Sequence, residues 1–269
     1  MVDLPPLKDV IARYGLDARK ALGQHFLLDP GLIGRIVQQA GHMEGRHVVE
    51  VGPGPGGLTR ALLDSAAADV LAVELDRRAI AALAELGDAY PGRLVVLEQD
   101  ATRLDLASLV PSPRVLAANL PYNVATPLLV GWLRQASEWE RMTLMFQLEV
   151  AERICAAPDT EAYGRLSVLA QWTCTATLLL RLPPGAFAPP PKVWSAVVGL
   201  VPLAVQPPGD LFQTMERLTA AAFGQRRKML RGSLRALGGV GLLERAGIDP
   251  VRRAETLTIP EWDRLVRLL

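Results

Sequence analysis

The chain is poor in cysteine and histidine: 269 residues include two cysteines, Cys155 and Cys174, and three histidines. The cysteines stand far apart and form no C-x-x-C pair, which argues against both a structural zinc site and a disulfide framework. No uninterrupted apolar run approaches the roughly 20 residues that span a bilayer. Asp3, Pro5, Pro6 and Lys8 stand where a secretory signal would need an apolar stretch. These absences lead to the expectation of a soluble, cytoplasmic protein with reduced thiols and no metal. No apolar surface stripe demands a partner subunit, so a monomer is expected. A strong charge of one sign is missing too, the net charge being +1. Its distribution is uneven, however. Residues 1–182 carry 17 Lys/Arg against 21 Asp/Glu, whereas residues 183–269 carry 12 against 7. A basic C-terminal part on a slightly acidic body suits a nucleic-acid contact surface, and equally a solvated helix face.

What is present is enough apolar residue for a large core, half of the chain. From residue 30 short β-rich runs alternate with helical stretches. Strands are expected at His47–Val51, Val70–Glu74, Leu94–Leu97, Val115–Ala118 and Met142–Phe146. Helices are expected from Asp29-Pro30 to Ala40 and over Leu58–Ala67, Arg77–Leu86 and Pro127–Gln135. Continuous apolar strands between amphipathic helices predict an α/β fold, a mostly parallel sheet covered on both faces. Ala176–Leu182 and Trp194–Val201, joined by a Pro-rich connection, read as a late hairpin on that sheet. After a break at Pro202–Gly209 the pattern is helical: Leu211–Phe223, Arg226–Leu237, Gly241–Ala246 and a last helix with Pro260 near its first turn. Two domains follow, 1–202 and a small helical one, 203–269.

Two motifs carry chemistry. Val48-Val49-Glu50-Val51-Gly52-Pro53-Gly54-Pro55-Gly56-Gly57 is a strand entering a glycine-rich turn and then a helix. Gly52, Gly54 and Gly57 match the dinucleotide pattern G-x-G-x-x-G, and Glu74 closes the next strand, placed to hold ribose hydroxyls. Glu50 inside the first strand, with Pro53 and Pro55 stiffening the loop, favours S-adenosylmethionine over a pyrophosphate cofactor. Asp100 closes the third strand, where it can accept from an adenine amine or cap a helix. The second motif is Asn119-Leu120-Pro121-Tyr122 at the end of a further strand. An amine on an aromatic ring is a poor nucleophile because its lone pair is delocalised. The Asn119 carbonyl and a peptide carbonyl before or at Pro121 can take both N–H groups and free that lone pair, while Tyr122 offers a stacking face. A plain turn would also use Asn and Pro.

Together these motifs resemble the KsgA-type ribosomal RNA adenine N6,N6-dimethyltransferases, relatives of the Erm methyltransferases. The resemblance includes Lys20-Ala21-Leu22-Gly23-Gln24-His25-Phe26-Leu27 and Phe187-Ala188-Pro189-Pro190-Pro191-Lys192-Val193-Trp194-Ser195. It implies a Rossmann-like methyltransferase domain with a seven-stranded sheet and S-adenosylmethionine as cofactor. By carry-over, His25 and Leu27 line the cofactor's methionine and adenosine end, Gly52 faces it, Glu74 holds the ribose and Asp100 the adenine. Asn119 contacts cofactor and substrate, and Phe187 closes over the target base opposite Tyr122. The family often has Asn where His25 stands. Arg226, Arg227, Lys228 and Arg231, in a stretch that opens a C-terminal helix in the KsgA type, are the implied RNA contacts. The implied activity is dimethylation of two adjacent adenosines in the 3′-terminal hairpin loop of 16S rRNA, within the immature small ribosomal subunit. Alternatives are an Erm-like enzyme acting on large-subunit rRNA, an amine methyltransferase acting on DNA or protein, and a non-catalytic RNA-binding assembly factor.

Overall fold

The computed structural model describes residues 4–16 and 25–269, so Lys20–Gln24 of the N-terminal motif lie outside the described residues. Helix α1 (Leu7–Arg13) precedes a two-residue strand β1 (Phe26–Leu27) and helix α2 (Pro30–Gln39). Then come β2 (His47–Val51), α3 (Gly57–Asp64), β3 (Asp69–Glu74), α4 (Arg77–Ala89), β4 (Leu94–Glu98) and β5 (Arg114–Asn119). They are followed by α5 (Tyr122–Leu133), β6 (Arg141–Gln147), α6 (Leu148–Cys155), α7 (Arg165–Thr173), β7 (Cys174–Leu182), β8 (Phe187–Ala188) and β9 (Ser195–Pro202). Helices α8 (Phe212–Phe223), α9 (Leu230–Ser233), α10 (Gly239–Arg245) and α11 (Ile259–Val266) complete the chain.

The seven-stranded sheet has the order β4-β3-β2-β5-β6-β9-β7. The first five strands run parallel, and β9 is antiparallel to both β6 and β7. Strand order reverses between β2 and β5, and a crevice for ligands opens beyond the carboxyl ends at such a reversal. The central strands are apolar on both faces because both faces are covered. In β2, Val48, Val49 and Val51 are all buried, and their β-branched side chains suit a pleated, packed surface. Alternation then sorts them into two layers. Val48, Val70 and Val115 pack with Leu62, Leu63 and Leu83 on one face. Val49, Leu116 and Leu144 pack with Leu129 and Trp132 on the other.

Local signals start the helices. Asp29 accepts from the backbone N–H groups of Gly31 (2.8 Å) and Leu32 (3.0 Å), with Pro30 at the first helical position of α2. Asp76 likewise caps α4 through the N–H of Arg78 at 3.0 Å. The expected domain boundary falls at the end of β9. Beyond it, Met215, Leu218, Leu243 and Trp262 belong to the same apolar cluster as Leu129 and Leu144. Tyr163 Oη donates to the Leu257 carbonyl (2.9 Å) and Trp172 Nε1 to Asp263 (2.9 Å), tying α7 to the terminal helices.

Three features differ from the sequence expectation. Helix α5 starts at Tyr122 rather than Pro127, because Pro127 falls in its second turn and forfeits one hydrogen bond without stopping the helix. The segment expected as one helix over Arg226–Leu237 is instead a turn through Arg226–Lys228, the short α9, and a 3-10 turn at Arg235–Leu237. Like charges crowd its start, and Gly232 weakens its interior. Helices α1, α6 and α7 and the short strands β1 and β8 have no counterpart among the expected elements.

Candidate active site at the carboxyl edge of the sheet

Strands β2, β3 and β5 deliver Gly52, Glu74 and Asn119 to one edge, where two cavities meet. Gly52, Glu74, Leu120 and Pro121 line both. The first, about 90 Å³, is walled by His25, Phe26, Leu27, Glu50, Gly54 and Tyr122. The second, about 480 Å³, is walled by Leu75, Asp76, Arg77, Asp100 and Thr102. A narrow pocket thus continues into a wider one past the Glu74 carboxylate, an outline that suits an amino acid joined to a nucleoside.

Glu74 holds that junction. Its Oε1 accepts from the N–H groups of Leu75 (2.8 Å) and Asp76 (3.0 Å), and its Oε2 from the N–H of Gly54 (3.1 Å). The acid that ends β3 therefore also fixes the glycine-rich turn. Gly52 and Gly54 lie at φ +70° and +53°, where side chains are strained. A Cβ on Gly54 would stand 3.0 Å from the Phe26 ring, so the turn and the N-terminal segment touch only because no side chain intervenes.

Glu50 is 1% exposed, and its Oε2 has no hydrogen-bond partner among the described residues. Burial pushes its carboxyl up to about 8, Thr59 opposing and the charge of Glu74 adding to the rise. An unpartnered buried acceptor at a cavity wall suits a cationic group bound there. Asp100, at the far end, accepts from Thr102 N–H (2.9 Å) and Thr102 Oγ1 (2.7 Å). Those bonds, with the charge of Arg103, hold it below the usual carboxylate range. It caps a 3-10 turn and also lines the wider cavity.

Asn119 is the last residue of β5. Its Nδ2 points to the His25 carbonyl at 3.5 Å, the outer limit of a hydrogen bond, which orients the amide. Pro121's carbonyl is taken by the N–H of Val124 (3.1 Å). Tyr122 opens α5, half-buried, with its hydroxyl 2.6 Å from Ser195 Oγ. Burial raises its phenol pKa, so it stays neutral. The His25 ring stacks on one face of Tyr122, with centroids 5.6 Å apart and planes at 30°. His25 Nδ1 lies 2.8 Å from the Pro189 carbonyl. A carbonyl only accepts, so Nδ1 carries the proton and, in the neutral ring, Nε2 keeps its lone pair. Through this bond the histidine connects the N-terminal segment to the loop between β8 and β9.

Leu27 is buried beside the first cavity, in register with Phe187 across the β1–β8 ladder. Phe187 is 5% exposed and packs with Leu27, Ile33, Met145 and Leu182, the first three of which also line the first cavity. The C-terminal cations differ among themselves. Arg227, Lys228 and Arg231 are exposed. Arg226 is exposed too, but its guanidinium donates to the carbonyls of Glu161 (2.5 Å) and Thr160 (3.4 Å), joining the turn to the loop before α7. Sequence reasoning passed over Ser195, although it stands inside the quoted Phe187–Ser195 motif, and over the stacking of His25 on Tyr122, for which no local signal exists. Among the described residues no group of potential metal ligands occurs, and no helix is long and apolar enough to cross a membrane.

This geometry agrees with the comparisons to known proteins. The chain is 63% identical, over 99% of its length and 88% of the relative's, to ribosomal RNA small subunit methyltransferase A of Gluconobacter oxydans. To the protein of the same name from Paramagnetospirillum magneticum it is 56% identical, over 100% and 96% of the two chains. Among solved structures it resembles a dimethyladenosine transferase from Plasmodium falciparum, with TM-score 0.77, 26% identity, and 90% and 96% of the chains covered. It also resembles the 23S rRNA methyltransferase ErmE, with TM-score 0.68, 26% identity, and 91% and 99% covered. A family model described as ribosomal RNA adenine dimethylase matches residues 15–269, which shows that the chain belongs to that family.

Proposed function

We propose that this protein dimethylates N6 of two adjacent adenosines in the 3′-terminal hairpin loop of 16S rRNA, using S-adenosylmethionine, while the small ribosomal subunit matures in the cytoplasm. The observation that supports the reading is that Asn119, Leu120, Pro121 and Tyr122 all line the first cavity, with Leu120 and Pro121 also walling the second. S-adenosylmethionine, when bound, supplies a methyl carbon made electrophilic by its sulfonium. Glu50 and His25 would hold its amino-acid end, Leu27, Gly52 and Glu74 its middle, and Asp100 its adenine.

The chain's own groups prepare the nucleophile. The target adenine leaves its stack and enters beside Asn119. Asn119 Oδ1 and the Leu120 carbonyl accept its two N–H groups, which draws N6 towards tetrahedral geometry and localises the lone pair. Pro121 contributes no N–H donor at the point of approach. Tyr122, backed by His25, stacks on the base, a contact worth roughly 1–3 kcal/mol. The methylated nitrogen is cationic and loses its proton to water, so no dedicated base is needed. For the second methyl one N–H remains to be gripped. Arg227, Lys228 and Arg231 would meet RNA phosphates, each contact adding about one unit to the salt dependence of binding. Arg226 would assist through the turn it anchors.

The decisive experiment is transfer of radiolabelled methyl from S-adenosylmethionine to unmethylated small subunits, followed by nucleoside analysis. N6,N6-dimethyladenosine at two neighbouring positions is the expected product. Labelling of naked large-subunit rRNA instead would identify an Erm-like enzyme, and cofactor binding without any transfer would identify an assembly factor.

A further inference from the structure

Of the five tryptophans, Trp132, Trp139, Trp172 and Trp262 are each 5% exposed or less, whereas Trp194 is 47% exposed. Trp194 stands at a particular place. Its neighbour Ser195 binds the Tyr122 hydroxyl, and its carbonyl accepts the N–H of Leu148, the first residue after β6. Asn119 aligns with Met145, and Met145 with Val197. Because β9 runs antiparallel to β6, Trp194 lies beyond that level towards the same carboxyl edge that carries Asn119. Strand geometry puts the two backbones roughly 10 Å apart across the sheet and about 10 Å along it. The neighbouring surface suits a polyanion: Lys192 is exposed and has no ion-pair partner among the described residues, and Val193 extends the apolar ledge at 45% exposure.

A large aromatic ring held half in water at the mouth of a site has no packing reason to be there. Its exposed face offers sequence-tolerant stacking, and RNA loops present unstacked bases to such faces. We propose that Trp194, with Lys192 beside it, is a second stacking platform that receives a nucleobase flanking the adenosine held at Asn119 and Tyr122. This rests on the function proposed above and assigns it an additional substrate contact. Trp194 would then act on how the loop is held and not on the methyl transfer itself, since it lies too far from Asn119 to touch the reacting nitrogen.

The test uses the full-length protein and two readouts. Loss of one stacked base, about 1–3 kcal/mol, corresponds to roughly 5- to 150-fold in affinity. Trp194→Ala should raise KM for unmethylated small subunits within that range, leaving kcat and the affinity for S-adenosylmethionine within about two-fold, and Trp194→Phe should restore most of the KM. Independently, a single-stranded oligoadenylate should quench the emission of the wild-type protein, and this quenching should vanish in Trp194→Phe. A KM unchanged in Trp194→Ala, or rescue by Trp194→Leu as good as by Phe, overturns the stacking assignment; the second result would point to an apolar protein contact. Absence of quenching overturns it as well. Wild-type protein that is quenched by the oligonucleotide but methylates no small subunit overturns the proposed substrate and leaves the platform supported.

Discussion

The hydroxyls of Tyr122 and Ser195 meet at 2.6 Å across 73 residues of sequence, fastening the first turn of α5 to the start of β9. The bond keeps the aromatic ring fixed at the cavity wall. Tyr122→Phe removes the bond but keeps the ring, so it should cost about 1 kcal/mol of stability and reduce single-turnover methylation less than ten-fold. Tyr122→Ala removes the stacking face and should lower the rate roughly 10- to 100-fold. Equal rates in the two variants would remove the ring from the mechanism.

On the proposed mechanism, Asn119→Ala deletes one of the two acceptors of the target amine. By analogy with the loss of one preorganised hydrogen-bonding group, the methylation rate should drop about 10²- to 10³-fold. Cofactor affinity, measured calorimetrically, should change only a few-fold, because Glu50, Glu74 and Asp100 remain. Undiminished turnover would refute the assignment of Asn119.

In the proposed site, Glu50 would link cofactor binding to pH. Its folded pKa, about 8, lies above the value of 4.5 expected in the unfolded chain, so between those values the folded state holds a proton that the unfolded state has lost. Stability of the cofactor-free protein should therefore fall as pH rises from about 5 to 8 and level off above. Glu50→Gln should flatten that part of the melting-temperature profile. It should also weaken S-adenosylmethionine binding, since a cation entering beside Glu50 favours the ionised carboxylate. A Glu50→Gln variant with the wild-type pH slope would show that another group titrates.

Much of this site was legible because its residues sit at the ends of strands with strong periodic patterns. Gly52, Glu74, Asp100 and Asn119 fall at or just past the ends of apolar runs, so local sequence suffices to place them, whereas Glu50 stands out as an acid inside such a run. The surroundings of Phe187 were not legible: a lone aromatic before a Pro-rich stretch has no periodicity to give its facing, and its pairing with Leu27 joins segments far apart in the chain. The basic stretch over 226–231 was readable as charge but not as conformation, because repulsion and glycine outweigh a helical apolar pattern there. Contacts between distant segments, such as His25 with Tyr122 and Pro189, leave no trace in local pattern at all.

Gly54→Ala tests the close approach at the turn. Its Cβ would press on the Phe26 ring at 3.0 Å in a backbone conformation that disfavours side chains. The turn should shift off Glu74 and cofactor affinity should fall at least ten-fold, by roughly 1.4 kcal/mol or more. Thermal stability should drop by a smaller proportion, because the change lies at the sheet's rim. Unaltered binding would mean that the turn can yield without moving Glu74.

The pairing of Phe26–Leu27 with Phe187–Ala188 has a consequence for how the enzyme comes into being. One wall of the binding crevice is contributed near the beginning of the chain and braced by a rung made some 160 residues later. Until the ribosome has delivered β7 to β9, β6 is an uncovered border of the sheet and the early segment has nothing to close against. Competence to hold the methyl donor therefore arrives late in synthesis, after the parallel strands that carry its acidic residues are already in place.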